Sequence, residues 1–390
     1  MGRDTAAGQS RRKKADGRSG GRKLRGGGEG GRGGDATASA LLTLAREKLG
    51  QGDIEEADAC AGKALRLLNT TPEEGAAVML AGQIKVELGD LVSARGFFLR
   101  AVDLDPDGAA PERVGGGAEK FLWLAQLSDE GGEESVVWFE RGVEVLRAQL
   151  ATLDPQEEEA KERRKKLAGA LCGMVEIYMT DLSWSPDAEA KCESYIAEAL
   201  LVAPSDPETL QTLANIRISQ NRMPEAKRAL LDSLALWQDL SPADPTIPAF
   251  PTRISLSRLL MEVSMEEQAL GVLERLVGED DQSVEAWYLG GWCLQLLSSE
   301  SEGDGGGEKK KAALVASREW LNQSLILYDS LEYEDERLRE HAEELVRELD
   351  ALLGPVDVDG DGGQEDEDGN EEGWESEDGD EDADEEMVGS

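Results

Sequence analysis

Apolar residues recur along this chain at spacings of three and four, in short runs broken by glycine, proline or charged turns. That spacing lays one apolar stripe along a helix. The clearest example is 207–242. Leu210, Leu213, Ala214 and Arg217 share one face of a first helix, Gln220-Asn221-Arg222 makes the turn, and Ala226, Leu230 and Leu234 share one face of a second. Pro224 falls in the first turn of the second helix, where a missing N–H costs nothing. The small residues Ala214 and Ala226 stand where the two helices must approach closely. A pair of this size cannot cover its own apolar face, so similar pairs are expected on either side.

They are found along most of the chain. In 76–106, Gly82, Gly89, Ala94, Phe98, Ala101 and Pro106 fall on the small, turn, small, aromatic, small and proline positions of a tetratricopeptide repeat. Pro106 stops the helix there. An earlier pair uses Leu41, Leu44 and Ala45, then Ala57, Ala61 and Ala64. A degenerate third uses Phe121, Leu124 and Ala125, then Val136, Phe139 and Val143, across a turn at 129–132. A fourth joins a longer helix, which starts in the charged segment 156–166, to a partner over 187–202. The pair at 207–242 is the fifth.

Prolines 242, 245, 248 and 251 separate it from a sixth, with Leu256, Leu259 and Leu260, then Ala269, Leu273 and Leu276. A seventh opens at Glu285-Ala-Trp287-Tyr-Leu-Gly-Gly-Trp292 and closes with Ala316, Trp320 and Leu325. Its halves are expected to flank an inserted flexible loop, 298–311. A charged helix over 334–353 has one apolar side and suits a cap. The pattern therefore predicts an all-α fold, a tetratricopeptide-repeat superhelical solenoid of about seven helix pairs plus a C-terminal capping helix, over 35–354.

Charge adds the ends to this picture. The net charge is −41. Residues 1–34 carry ten Lys/Arg against three Asp/Glu, and 355–390 carry eighteen Asp/Glu without a Lys or Arg, so 35–354 itself holds −30. Both ends have almost nothing to bury and are expected to be disordered: a basic Gly-rich leader and an acidic tail. The cluster Arg11-Arg12-Lys13-Lys14 fits a nuclear import signal as well as it fits a solvated leader. The acidic middle repels nucleic acid and anionic membrane and attracts basic partners. The protein is therefore expected to be soluble, with no membrane and no direct nucleic acid held by the folded domain.

Candidate chemistry changes little. Cys60, Cys172, Cys192 and Cys293 sit singly in helical patterns and read as small core residues of a reducing compartment. The single histidine, His341, lies on the charged terminal helix. Asp357 to Asp368 spaces carboxylates like a calcium loop, but Gln364 and Asp368 stand where an apolar residue and a glutamate belong, and no helix follows. No catalytic set, metal site or cofactor is expected, and an enzyme is not.

What remains is the concave groove lined by the first helix of each pair. The expected partner-binding positions are Met79 and Gln83 in the second pair, Gln126 and Glu130 in the third, and Glu176 and Asp181 in the fourth. Gln211 and Asn215 follow in the fifth, Glu262 in the sixth, and Glu285, Tyr288 and Trp292 in the seventh. Carboxylates, amides and apolar spots suit an extended basic peptide. The positions lack the Lys, Asn and Arg set with which tetratricopeptide co-chaperones hold acidic heat-shock-protein tails.

Within 171–230, the stretches EIYMTDL, AEAKCE and LANIRISQ, together with the ending GPVDVDGDG…EEGWESEDGDED, resemble the fungal dedicated assembly chaperones of ribosomal large-subunit protein L-four. The resemblance covers roughly 40–390. It implies a solenoid that captures the newly made, basic ribosomal protein in a 1:1 complex. It also implies shielding of that protein's basic internal loop and escort from cytoplasm to nucleus and the pre-ribosome. The basic leader and the 298–311 insertion depart from the family core. The alternative is a general tetratricopeptide scaffold subunit of a larger complex, of the ubiquitin-ligase or histone-handling type.

Overall fold

The computed structural model describes residues 30–354, apart from 69, 70, 72, 129, 130 and 301–305. The expectations for residues 1–29 and for the tail from 355 onward lie outside the described residues. Among those described there is no strand. Seven helix pairs follow one another: α1 (Gly30–Gly50) with α2 (Ile54–Leu68), α3 (Glu74–Glu87) with α4 (Leu91–Leu104), α5 (Glu119–Gln126) with α6 (Gly132–Leu150), and α7 (Glu158–Met179) with α8 (Ala188–Val202). Then come α9 (Pro207–Ser219) with α10 (Met223–Ala235), α11 (Phe250–Glu262) with α12 (Glu266–Glu279), and α13 (Val284–Glu300) with α14 (Gly306–Ser330). A last helix, α15 (Glu336–Leu353), packs on α13 and α14. The fold is the all-α tetratricopeptide solenoid that the periodicity predicts.

Local chemistry sets the boundaries. Asp90 caps α4 by accepting the Ser93 N–H at 3.1 Å, and Asp206 caps α9 by accepting the Thr209 N–H at 2.9 Å, with Pro207 in the first turn. Asn221 takes a left-handed φ of 59° in the turn between α9 and α10, a conformation that asparagine tolerates better than most residues. Within a pair, as at Gly82, and between pairs, as at Gly173, a small residue meets a large one. A Cβ on Gly82 would stand 2.7 Å from the Phe98 ring, and one on Gly173 would stand 2.8 Å from that of Phe139. Glycine is what lets these helices approach.

The first helices of successive pairs also touch, α7 on α9, α9 on α11 and α11 on α13. They lie side by side and form the inner face. The core is correspondingly a string of clusters: one around Ala57 and Ala61, one around Phe98, one around Leu171, and one from Ala214 to Leu349. Each pair is thus stabilised mainly by its neighbours. The degenerate junction before α5 is pinned by Lys120. Its side chain is wholly buried, its Nζ lies 2.6 Å from Asp105 Oδ2, and it sits 5.1 Å from the Phe121 ring centroid. Burial lowers the Lys120 pKa, and the hydrogen bond that Lys120 donates to Asp105 opposes that.

Three expectations are corrected. The 298–311 insertion is mostly helical, because α13 runs to Glu300 and α14 starts at Gly306. Ser298 and Ser299 turn their hydroxyls back to the Gln295 and Leu296 carbonyls, at 2.6 Å each, so the polar run does not break the helix. In α1, Leu44 is exposed, and Ala38, Leu42 and Ala45 make the buried face. In α14 the buried face is Leu314, Ser317, Leu321 and Ser324, one residue on from Ala316 and Trp320. Ser317 and Ser324 donate to the Gly291 and Val284 carbonyls at 2.6 and 2.8 Å, so small polar residues form a helix contact that an apolar count overlooks.

Candidate partner-binding groove

The inner face carries an open groove of about 1130 Å³. It is built from α5 and the start of α6, from α7 and α9 along its middle, and from α11 at the far side. Five carboxylates line it, Glu119, Glu176, Asp181, Asp206 and Glu208, against one ammonium, that of Lys166. Lys166 is itself neutralised, with Glu119 at 2.6 Å and Glu162 at 3.3 Å. Burial works against its charge, but these partners outweigh burial and leave its pKa raised. The groove is therefore net acidic.

Two of the carboxylates already hold the scaffold. Asp206 caps α9, and Asp181 Oδ2 accepts the Gly132 N–H at 3.0 Å, which ties the start of α6 to the end of α7. Glu176 and Glu208 stay exposed, with Glu208 3.4 Å from the Thr252 hydroxyl. Apolar wall is supplied by Leu122, Val175, Ile177 and Leu259. Burial pushes the Cys172 thiol pKa up, so at neutral pH it is a small apolar wall residue and not a thiolate.

Of the sequence-predicted positions, Gln126, Glu176, Asp181, Gln211 and Asn215 come together in this groove. Gln126, Glu176 and Asn215 are exposed, whereas Gln211 is only 5 % exposed and its Nε2 has no hydrogen-bond partner. Glu130 lies outside the described residues. Met79 does not face the groove. It is buried with Val78, Ala94, Phe98 and Leu124, because α3 is packed against α1, α2, α4 and the turn at 112–114 and buries every residue from Glu74 to Gly82. Gln83 is half-buried on the same helix, away from the groove lining.

At the other end, Glu262 is exposed beyond the groove, and Glu285 is paired with Arg258. Tyr288 is buried and Trp292 half-buried, both against His341 of the capping helix, with ring centroids 5.8 and 5.0 Å away. The cap covers what the repeat pattern left open. Glu208 and Trp123 were missed. Counting inner positions from the small residue in mid-helix passes over helix starts such as Pro207-Glu208, and Trp123 reads as a core aromatic. Among the described residues no cluster suited to a metal ion occurs, and no helix is long and apolar enough to cross a membrane.

A family model of the tetratricopeptide repeat matches residues 42–109. A protein of Emericella nidulans named "Probable assembly chaperone of rpl4" is 51% identical over 361 residues, covering 90% of this chain and 90% of that protein. The chain belongs to the family of rpl4 assembly chaperones. A second member, of Schizosaccharomyces pombe and with the same name, is 35% identical over 353 residues, covering 90% of this chain and 99% of its own length. A solved structure titled "Assembly Chaperone of RpL4 (Acl4) (Residues 1-338)" is 52% identical with a TM-score of 0.62, covering 67% of this chain and 97% of that one.

Proposed function

We propose that this chain is a dedicated, non-enzymatic assembly chaperone of the ribosomal large-subunit protein rpl4. It holds the basic internal loop of that protein in the groove of α5, α7, α9 and α11, and escorts it from cytoplasm to nuclear pre-ribosome. The observation that carries this is family membership across nine-tenths of the chain, together with a groove of five carboxylates and one neutralised lysine. A loop built to contact RNA is basic and unpaired before assembly. An acidic groove offers it the charge that RNA later supplies, and it keeps RNA itself away. The chain acts as a monomer in a 1:1 complex. The general-scaffold reading is set aside, because both curated relatives bear the chaperone name over 90% of this chain.

Capture of the tagged chain from cells, with identification of what it brings down, tests this. One stoichiometric basic protein, rpl4, is expected, and less of it at high salt. Recovery of heat-shock proteins alone, or of no basic protein, would overturn the proposal.

A further inference from the structure

α14 is longer than the helix that packs on it. The two run antiparallel, with Asp329 of α14 3.4 Å from Arg339 of α15 and, nearer the start of α14, Arg318 3.2 Å from Asp350. There α15 is ending. Gly354 closes it with a φ of 80°, Pro355 follows, and Arg318 donates to the Gly354 carbonyl at 3.0 Å. α14 itself begins at Gly306, well before Arg318. By the same register its first two turns overhang the end of α15. That overhang carries Lys309, Lys310 and Lys311, all exposed and without an ion-pair partner among the described residues. Adjacent ammonium groups repel one another, so a run of three on a chain of net charge −41 invites carboxylates.

We propose that the overhang seats the start of the chain's own acidic tail, with Asp357 and Asp359 against Lys310 and Lys311. Reach and charge agree at this one place. Lys311 stands seven residues before Arg318, which is roughly 10 Å along the helix and within about 20° of the same face. The tail leaves at Gly354, held by Arg318. Three extended residues, from Gly354 to Asp357, cover about 10 Å as well. Asp357 and Asp359 are two apart, so they fall on one side of an extended chain, and Val356 and Val358 fall on the other. Lys310 is about a quarter-turn round from Arg318, whereas Lys309 is on the far side of the helix. The overhang is only about 12 Å long, so the acids from Glu365 onward lie past it and stay available to other basic surfaces. The inference concerns a surface outside the groove and stands whether or not the groove takes rpl4.

Carbodiimide cross-linking of the full chain tests this, because it joins only a carboxylate and an amine in contact. An equal mixture of ordinary and heavy-isotope chain tells links within a copy from links between copies, and peptide mass spectrometry places them. The expected links join Lys310 and Lys311 to Asp357 and Asp359 within one copy. They should be at least about threefold more abundant than links from Lys309, and fewer at high salt. Amide exchange over residues 310–314 is read alongside. It should quicken at least about threefold in Lys310→Gln/Lys311→Gln and in Asp357→Asn/Asp359→Asn, no further when the two are combined, and not at all in Lys309→Gln. Lysine and glutamine have similar helix propensity, so such a change does not report helix preference. The aspartate variants lie beyond α15 and leave the packed solenoid untouched. Links spread evenly over the three lysines, or evenly along the tail, would overturn the inference. So would links mainly between copies, exchange that neither double variant alters, or effects of the two that simply add.

Discussion

Tyr288 Oη lies 2.7 Å from His341 Nδ1, across 53 residues of chain. That contact, with the edge of the imidazole against Trp292, fixes α15 over the inner aromatics of the seventh pair. It explains why the groove ends at α11. Tyr288→Phe keeps the ring and removes the hydroxyl, and should lower stability by about 1 kcal/mol. Amide exchange should quicken first in α15, the element that the bond retains. Exchange that quickens evenly along the chain, or not at all in α15, would count against this role.

Gly290 and Gly271 are both helical glycines, with opposite expectations. A Cβ on Gly290 would stand 2.2 Å from the Trp320 ring, whereas one on Gly271 meets nothing within 4 Å. Gly290→Ala should destabilise by about 1–3 kcal/mol, because the α13–α14 contact must open. Gly271→Ala, on α12, should stabilise by about 0.5–1 kcal/mol through helix propensity alone. Denaturant unfolding of the two variants side by side reads the difference in sign.

Glu134 predicts a pH dependence. The Ser128 hydroxyl and then the Arg95 guanidinium, at 2.5 and 2.6 Å, hold its pKa down to about 2, from an ordinary 4.5. A carboxylate with a lowered folded pKa contributes stability that is fully present above its unfolded pKa and is lost as pH falls through the folded one. The bond between α4 and the start of α6 should therefore weaken between pH 4.5 and about 2. Glu134→Gln should flatten the stability profile in that window and leave its slope near neutral pH unchanged. Acid titrations of both chains, followed by unfolding, check this.

Much of the architecture was legible because each pair repeats the same demand. A small residue must face a large one, as Gly82 faces Phe98, and a turn must follow at Gly89. Those demands are local, so they can be read locally. The groove was less legible because facing is not local. Met79 has the spacing of an inner residue, but α3 is packed on nearly every side and buries it. Tyr288 and Trp292 have the same spacing and would be open if α15 did not fold back on them. Gln211 was placed in the groove by counting inner positions from the small residue of its helix, Ala214. That its Nε2 would be left without an acceptor follows from how α9 sits among its neighbours, which spacing does not carry.

The most direct measurement is calorimetric titration of rpl4 into three versions of this chain at low and high salt: wild type, the double reversal Glu176→Lys/Glu208→Lys in the groove, and the single reversal Glu274→Lys at an exposed position of α12 outside it. Wild type should bind one to one and weaken with salt. The groove reversal should weaken binding at least about tenfold at low salt, and the α12 reversal should change it by less than about twofold. Equal binding by all three, or an equal loss in both reversed chains, would contradict capture of the basic partner by the acidic groove.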